Sequence, residues 1–123
     1  MTIVFKNNGA QDAVYNPASA QEFLTRSYAT TTTTPLAVVG PGGSDSYKVD
    51  GRLSPDFTNA SVQYRMGMKT CKFMSSYIMG YTKGIRAPMW RKEAVESNGA
   101  RCEAKITTNS LRSHEWTVVF SMR

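Results

Sequence analysis

Hydrophobic and polar residues alternate along most of this chain with a period of two, the spacing that sends successive side chains to opposite faces of a β-strand. Ser46 to Leu53 sets Tyr47, Val49, Gly51 and Leu53 against Lys48, Asp50, Arg52 and Ser54. After a turn-like Pro55 to Asn59, Val62, Tyr64, Met66 and Met68 oppose Gln63, Arg65, Gly67 and Lys69. Paired as a hairpin, the two strands would place Lys48, Arg52, Arg65 and Lys69 on one sheet surface. The phase blurs near Thr70, where Cys71, Phe73 and Met74 break the alternation as a bulge or a strand end does. In the tail it returns, with Cys102, Ala104, Ile106 and Thr108 against Arg101, Glu103, Lys105 and Thr107. Then His114, Trp116, Val118, Phe120 and Met122 oppose Glu115, Thr117, Val119, Ser121 and Arg123. Asn109 to Ser113 divide these runs, which predicts a C-terminal hairpin.

At the N-terminus, Thr2 to Lys6 and Asp12 to Tyr15 flank Asn7-Asn8-Gly9. Asn-Gly between apolar runs tolerates the positive φ of a tight turn, which predicts an N-terminal hairpin. Glu22 to Thr33 reads as a strand on its β-branched residues, or begins as a short helix at Ser19 to Glu22; the threonines Thr30 to Thr34 favour strand. Gly40-Pro41-Gly42-Gly43 lacks the Lys-Ser or Lys-Thr of a phosphate loop and is assigned to a turn. Met74 to Met89 is the least regular stretch and is assigned to a long loop. Trp90 to Ser97 (WRKEAVES) is the best helical octet, stopped by Asn98-Gly99. The expected fold is mainly β, α+β at most: an antiparallel sheet of five to seven strands with an N-terminal hairpin and one or two short helices. So little helix leaves one apolar sheet face uncovered, which predicts an obligate oligomer whose sheet is completed by dimerisation.

A chain of 123 residues gives room for a single domain, 1–123. With 41% hydrophobic and 20% charged residues it has the composition of ordinary globular domains, which excludes collagen, coiled coil and disorder. No apolar run approaches the roughly 20 residues of a spanning helix, and MTIVFKNNGAQDA has no basic leader before an apolar stretch, so no membrane and a cytosolic start are expected. Charge changes the picture more. Lys and Arg number 15 against 9 Asp and Glu, a net +6, while Lys6 and Arg26 balance Asp12 and Glu22 before Gly40. All of the excess lies after Gly40, which suits a surface facing a polyanion, although a solvated basic face kept for solubility explains the same number. Cys71 and Cys102 with one His cannot build a four-ligand zinc site, so no metal is expected, and both read as buried thiols in a reducing compartment.

The succession of TIVF with an NNG turn, an Asn-Pro exit, a loop, then SYKVDGRLS followed by SVQYRMGMK resembles the coat proteins of single-stranded RNA bacteriophages (levivirus-like), over roughly Met1 to Phe73. The resemblance implies two subunits sharing one continuous sheet. It further implies an icosahedral shell of such dimers in a virion assembled in the bacterial cytoplasm, with genomic RNA bound on the inner sheet face. Lys48, Arg52, Arg65 and Lys69 occupy the strand positions it implies for RNA, with no catalytic residue, cofactor, metal or small-molecule substrate. Asp50 departs from the small polar residue the family tends to have there. Residues 101–123 depart from its two C-terminal helices, which are either concealed by weak local propensity or replaced by another device. In a shell, the loop bearing Met79, Tyr81 and Trp90 would meet its symmetry mates between subunits.

Two other classes compete. A small ribonuclease or toxin would use His114 as general acid or base with Glu103 or Glu115, and Arg101 or Arg112 on the phosphate, but a lone His beside Trp116 and Val118 is more often a packed one. A monomeric nucleic-acid-binding β-domain would interleave aromatic with basic residues on one strand face. That interleaving is not evident in the strands assigned above.

Overall fold

The computed structural model describes residues 1–16, 35–49, 52–54, 57–110 and 115–123. Their strands are β1 (Thr2–Asn7), β2 (Ala13–Tyr15), β3 (Val38–Val39), β4 (Ser44–Lys48), β5 (Arg52–Ser54), β6 (Phe57–Met66), β7 (Lys69–Thr82), β8 (Ile85–Ser97), β9 (Cys102–Asn109) and β10 (Trp116–Met122). The fold is mainly β, with more strands than the five to seven expected and no helix among the described residues. A four-stranded sheet runs β4-β1-β10-β9 and a six-stranded sheet runs β3-β2-β6-β7-β8, with β5 paired to β6. All pairings are antiparallel except β1 with β10.

The two apolar faces close on one another. From the four-stranded sheet come Ile3, Phe5, Tyr47, Trp116, Val118, Phe120 and Met122; the six-stranded sheet answers with Val62, Tyr64, Met66, Phe73 and Tyr77, all buried. Phe5 stacks on Tyr64 with ring centres 3.7 Å apart, and Phe73 stacks on Phe120 at 4.6 Å. Two buried hydrogen bonds cross the same gap: Tyr47 with Tyr64, hydroxyl to hydroxyl at 2.8 Å, and Trp116 Nε1–H donating to Ser75 Oγ at 2.9 Å. The apolar face that was expected to demand a partner is therefore covered within the chain.

Alternation placed the tail correctly: β9 and β10 form the predicted hairpin, and Trp116, Val118, Phe120 and Met122 face inward. In β6, Val62, Tyr64 and Met66 are buried while Arg65 is exposed, as expected, but Met68 is 82% exposed at the tip of a turn. Gly67 opens that turn at φ 62, the positive value its first position requires, and β7 then pairs with β6 in unbroken register, so no bulge interrupts Thr70 to Met74.

The N-terminal hairpin is not formed, because β1 and β2 belong to different sheets. Asn7 is buried and organises the crossover: its Nδ2 donates to the carbonyls of Gln11 and Val39, and its Oδ1 accepts from Gly9 N–H at 2.9 Å. Those bonds turn the chain out of one sheet and into the other. The strand expected over Ser46 to Leu53 is likewise divided, β4 lying in one sheet and β5 in the other. Glu22 to Thr33 lies outside the described residues.

Neither the long loop nor the helix exists: Met74 to Met89 and Trp90 to Ser97 are β7 and β8, paired without interruption from Thr70–Ser97 to Thr82–Ile85. Helix propensity is a weak preference, an octet is too short to hold a helix alone, and a continuous ladder against β7 overrides it. Asn98 and Gly99 do adopt positive φ, at 57° and 84°, but the turn they make leads from β8 to β9.

Cys71 and Cys102 are not thiols but a disulfide, with Cα atoms 5.7 Å apart. Cys71 lies in β7 and Cys102 in β9, so the bond staples one sheet to the other. Closing a loop of this separation, 31 residues, is worth about 3–4 kcal/mol by chain entropy. Replacing both cysteines by serine is expected to lower the unfolding free energy by about that amount in urea titrations. The hydroxyl pair makes a second prediction. Burial pushes the Tyr47 phenol well above the usual tyrosine range, the neighbouring Tyr64 adding to it, and burial likewise raises Tyr64. Since both are raised, the folded state binds these protons more tightly than the unfolded chain, whose phenols titrate near pH ~10. Stability should be full below that pH and fall as pH rises above it, the two phenols ionising only with unfolding in absorbance at 295 nm. Tyr64→Phe should cost about 1–3 kcal/mol by stranding the Tyr47 hydroxyl.

Candidate nucleic-acid interface

The four cations expected to share one RNA-facing surface are separated by the fold. Lys48 is exposed in β4 of the four-stranded sheet, whereas Arg52 belongs to β5 and Arg65 and Lys69 to β6 and β7 of the other sheet. Even these last two differ in position: Arg65 is opposite Thr70 on the outward face, while Lys69 is opposite the buried Met66 at the strand end. The cause is the crossover after β4, which sends Lys48 and Arg52 into different layers.

Of the residues of the catalytic alternative, His114 and Arg112 lie outside the described residues, Glu115 pairs with the Met1 amine at 2.6 Å, and Glu103 points outward from β9; Asp50, the departure from the coat-protein pattern, also lies outside the described residues. No group of three or more His, Cys, Asp or Glu among the described residues could hold a metal ion. A cleft of about 390 Å³ beside the disulfide is lined by Glu96, Arg101, Glu103 and Arg123, a mixture of signs that favours no charged ligand.

Cations gather instead along β6, β7 and β8. From Phe57 to Lys92 the chain carries Arg65, Lys69, Lys72, Lys83, Arg86, Arg91 and Lys92 and not one carboxylate. That stretch alone accounts for the positive balance of the chain. Its far end is a two-stranded ribbon among the described residues: β6 begins at Phe57, opposite Ile78, and of the described strands only β8 pairs with Met79–Thr82. Lys83 and Gly84, with φ of 53° and 79°, form the two-residue turn whose twist suits a hairpin.

Register gives the ribbon two different faces. On one, Tyr81 is opposite Arg86, Met79 opposite Pro88, Tyr77 opposite Trp90 and Ser75 opposite Lys92. Tyr81 is 74% exposed, Trp90 is half-buried and tilted against Tyr77 at 5.5 Å, and Arg86 and Lys92 are exposed. The other face is aliphatic: Ile78 is opposite Met89 and Gly80 opposite Ala87, with Ile85 next to the turn. Ile78 and Ile85 are 37% and 70% exposed. At Gly80 a Cβ would stand 3.2 Å from the Met89 methyl, a close approach that the flexible end of that side chain would have to relieve.

Among the described residues β8 is also the last strand of its sheet. With Thr82 and Ile85 as the closing pair, alternation turns the backbone groups of Ile85, Ala87 and Met89 towards β7 and those of Arg86, Pro88 and Trp90 towards the open edge. Pro88 thus sits where its missing N–H breaks no ladder bond, and it blunts the edge against strand addition. Of the expected inter-subunit residues, Met79 and Trp90 lean on the core and Tyr81 stands clear of it. The cations Lys83, Arg86, Arg91 and Lys92 and the aliphatic Ile78 and Ile85 were missed because the ribbon was assigned to loop and helix, and Lys72 because it falls where the alternation was read as broken. Two signals mark them: the absence of carboxylates from Phe57 to Lys92, and period-two spacing in Arg86, Pro88, Trp90 and Lys92. Comparison with protein-family models, with curated proteins and with solved structures finds no match to the chain.

Proposed function

We propose that this protein is a coat subunit with no chemistry of its own, which associates with further copies into a closed icosahedral shell around single-stranded RNA. The observation that carries the reading is the aliphatic face of the β7–β8 ribbon, exposed at Ile78 and Ile85 on a chain whose core is already closed. A core this complete needs no partner for folding, so apolar surface left on a projecting arm serves association. Copies meet through Ile78, Ile85, Ala87 and Met89 rather than by joining sheet edges, because Pro88 and the charged Arg91–Lys92–Glu93 run protect the edge of β8. A dimer is the first step of that association. The cations between Phe57 and Lys92 supply phosphate binding that is largely indifferent to sequence and weakens steeply with salt.

In this reading assembly takes place in the bacterial host cytoplasm, with no cofactor, membrane or small-molecule substrate. A Cys71–Cys102 bond persists in an oxidising medium, which here is the virion after release. Negative-stain microscopy of the protein expressed alone in bacteria, with the ultraviolet spectrum of the same size-exclusion peak, is expected to show uniform closed particles with a nucleic-acid spectrum. Ile78→Ser combined with Ile85→Ser should abolish the particles and leave the circular dichroism of the subunit unchanged. A small RNA-free species from the unmodified chain would refute the shell, and particles from the double variant would refute the role of the aliphatic face.

A further inference from the structure

We propose that the opposite face of the ribbon, bearing Tyr81, Arg86, Trp90 and Lys92, is a stacking site for the unpaired bases of single-stranded RNA. The inference rests on the RNA-binding part of the reading above and adds where and how the strand is held.

Cross-strand register puts these four side chains on one face, because directly opposed residues of an antiparallel pair share a side. Along β8 the order is Arg86, Pro88, Trp90, Lys92, each two residues from the next, and Tyr81 lies across from Arg86. From Arg86 to Trp90 the strand rises roughly 13 Å, so a cation and an aromatic ring lie near each end of a short extended track. A ring presents a π-face that any base can cover, and cations beside it neutralise the phosphates that follow. The exposure of Tyr81, 74%, leaves its ring available without rearrangement of the core.

Chemistry selects among polyanions. A duplex has its base faces already stacked and offers only phosphates, so it gains nothing from Tyr81 or Trp90. An anionic lipid surface would gain from burial of Ile78 and Ile85, but those residues lie on the other face. Insertion of the ribbon would also carry Lys83, at the very tip of the turn, deepest into the hydrocarbon. Unpaired RNA satisfies both the rings and the cations.

The test is fluorescence anisotropy with the full chain, using a labelled twelve-nucleotide oligouridylate, a twelve-base-pair RNA duplex, and vesicles of phosphatidylcholine with phosphatidylserine. The oligouridylate should bind more tightly than the duplex. Tyr81→Ala should weaken oligouridylate binding roughly 5- to 150-fold and leave duplex binding unchanged, whereas Tyr81→Phe should retain it. Arg86→Gln should reduce the slope of log affinity against log salt by about 0.7. Equal affinity for the duplex, an unaffected Tyr81→Ala variant, or binding to the vesicles but not to the oligouridylate would each overturn the proposal. The two readings fail separately. Oligouridylate bound through Tyr81 by a chain that never forms particles removes the shell alone, while RNA-filled particles whose subunits bind oligouridylate independently of Tyr81 remove the stacking site alone.

Discussion

Phe5 lies flat on Tyr64, and the two rings belong to different sheets. Around them the Tyr64 hydroxyl meets that of Tyr47, Phe73 stacks on Phe120, and Trp116 reaches across to Ser75. Each aromatic pair adds about 0.5–1.5 kcal/mol to the area it buries, and each buried hydroxyl is satisfied only while the sheets stay in this alignment. The gap between the layers therefore fixes their relative position as well as their stability. The Cys71–Cys102 bond ties the same two layers together at one end. Everything that projects from the sandwich is held by this contact, the β7–β8 ribbon included.

A closed core redistributes the work of the surface. Had the fold been one sheet with a bare apolar face, association would have been a condition of folding. In the sandwich the proposed association falls to an arm. The arm has two faces by parity: Ile78, Ile85, Ala87 and Met89 lie on one, and Tyr81, Arg86, Trp90 and Lys92 on the other. A one-residue slip in β8 would exchange the two faces, so the roles proposed for them depend on the Lys83–Gly84 turn, which fixes the pairing of Thr82 with Ile85.

Local alternation made the strands visible wherever one face is buried and the other wet. β6, β9 and β10 obey that rule, and Tyr47, Tyr64, Trp116 and Phe120 were on the correct side of their strands. Pairing was not visible in the same way. Asn7-Asn8-Gly9 has the chemistry of a hairpin turn, yet the buried Asn7 side chain uses its hydrogen bonds to pass the chain between layers. The ribbon was concealed because both of its faces carry large side chains, which erases the polar-apolar alternation, and because WRKEAVES has good helix formers that a long ladder overrules. The candidate site followed the same division. Arg65 and Lys69 lie in the basic stretch, but the partners of Tyr81 and Trp90 become legible only once β7 and β8 are in register.

Amide hydrogen exchange of the dilute subunit tests the centre of this account, a two-faced ribbon with one open edge. Strand geometry predicts a period of two along β8: slow exchange at Ile85, Ala87, Met89 and Arg91, whose N–H groups face β7, and fast exchange at Arg86, Trp90 and Lys92, whose N–H groups face the open edge. Continuous protection from Trp90 through Ser97, as in a helix, or uniformly fast exchange from Met74 through Trp90, as in a loop, would contradict it.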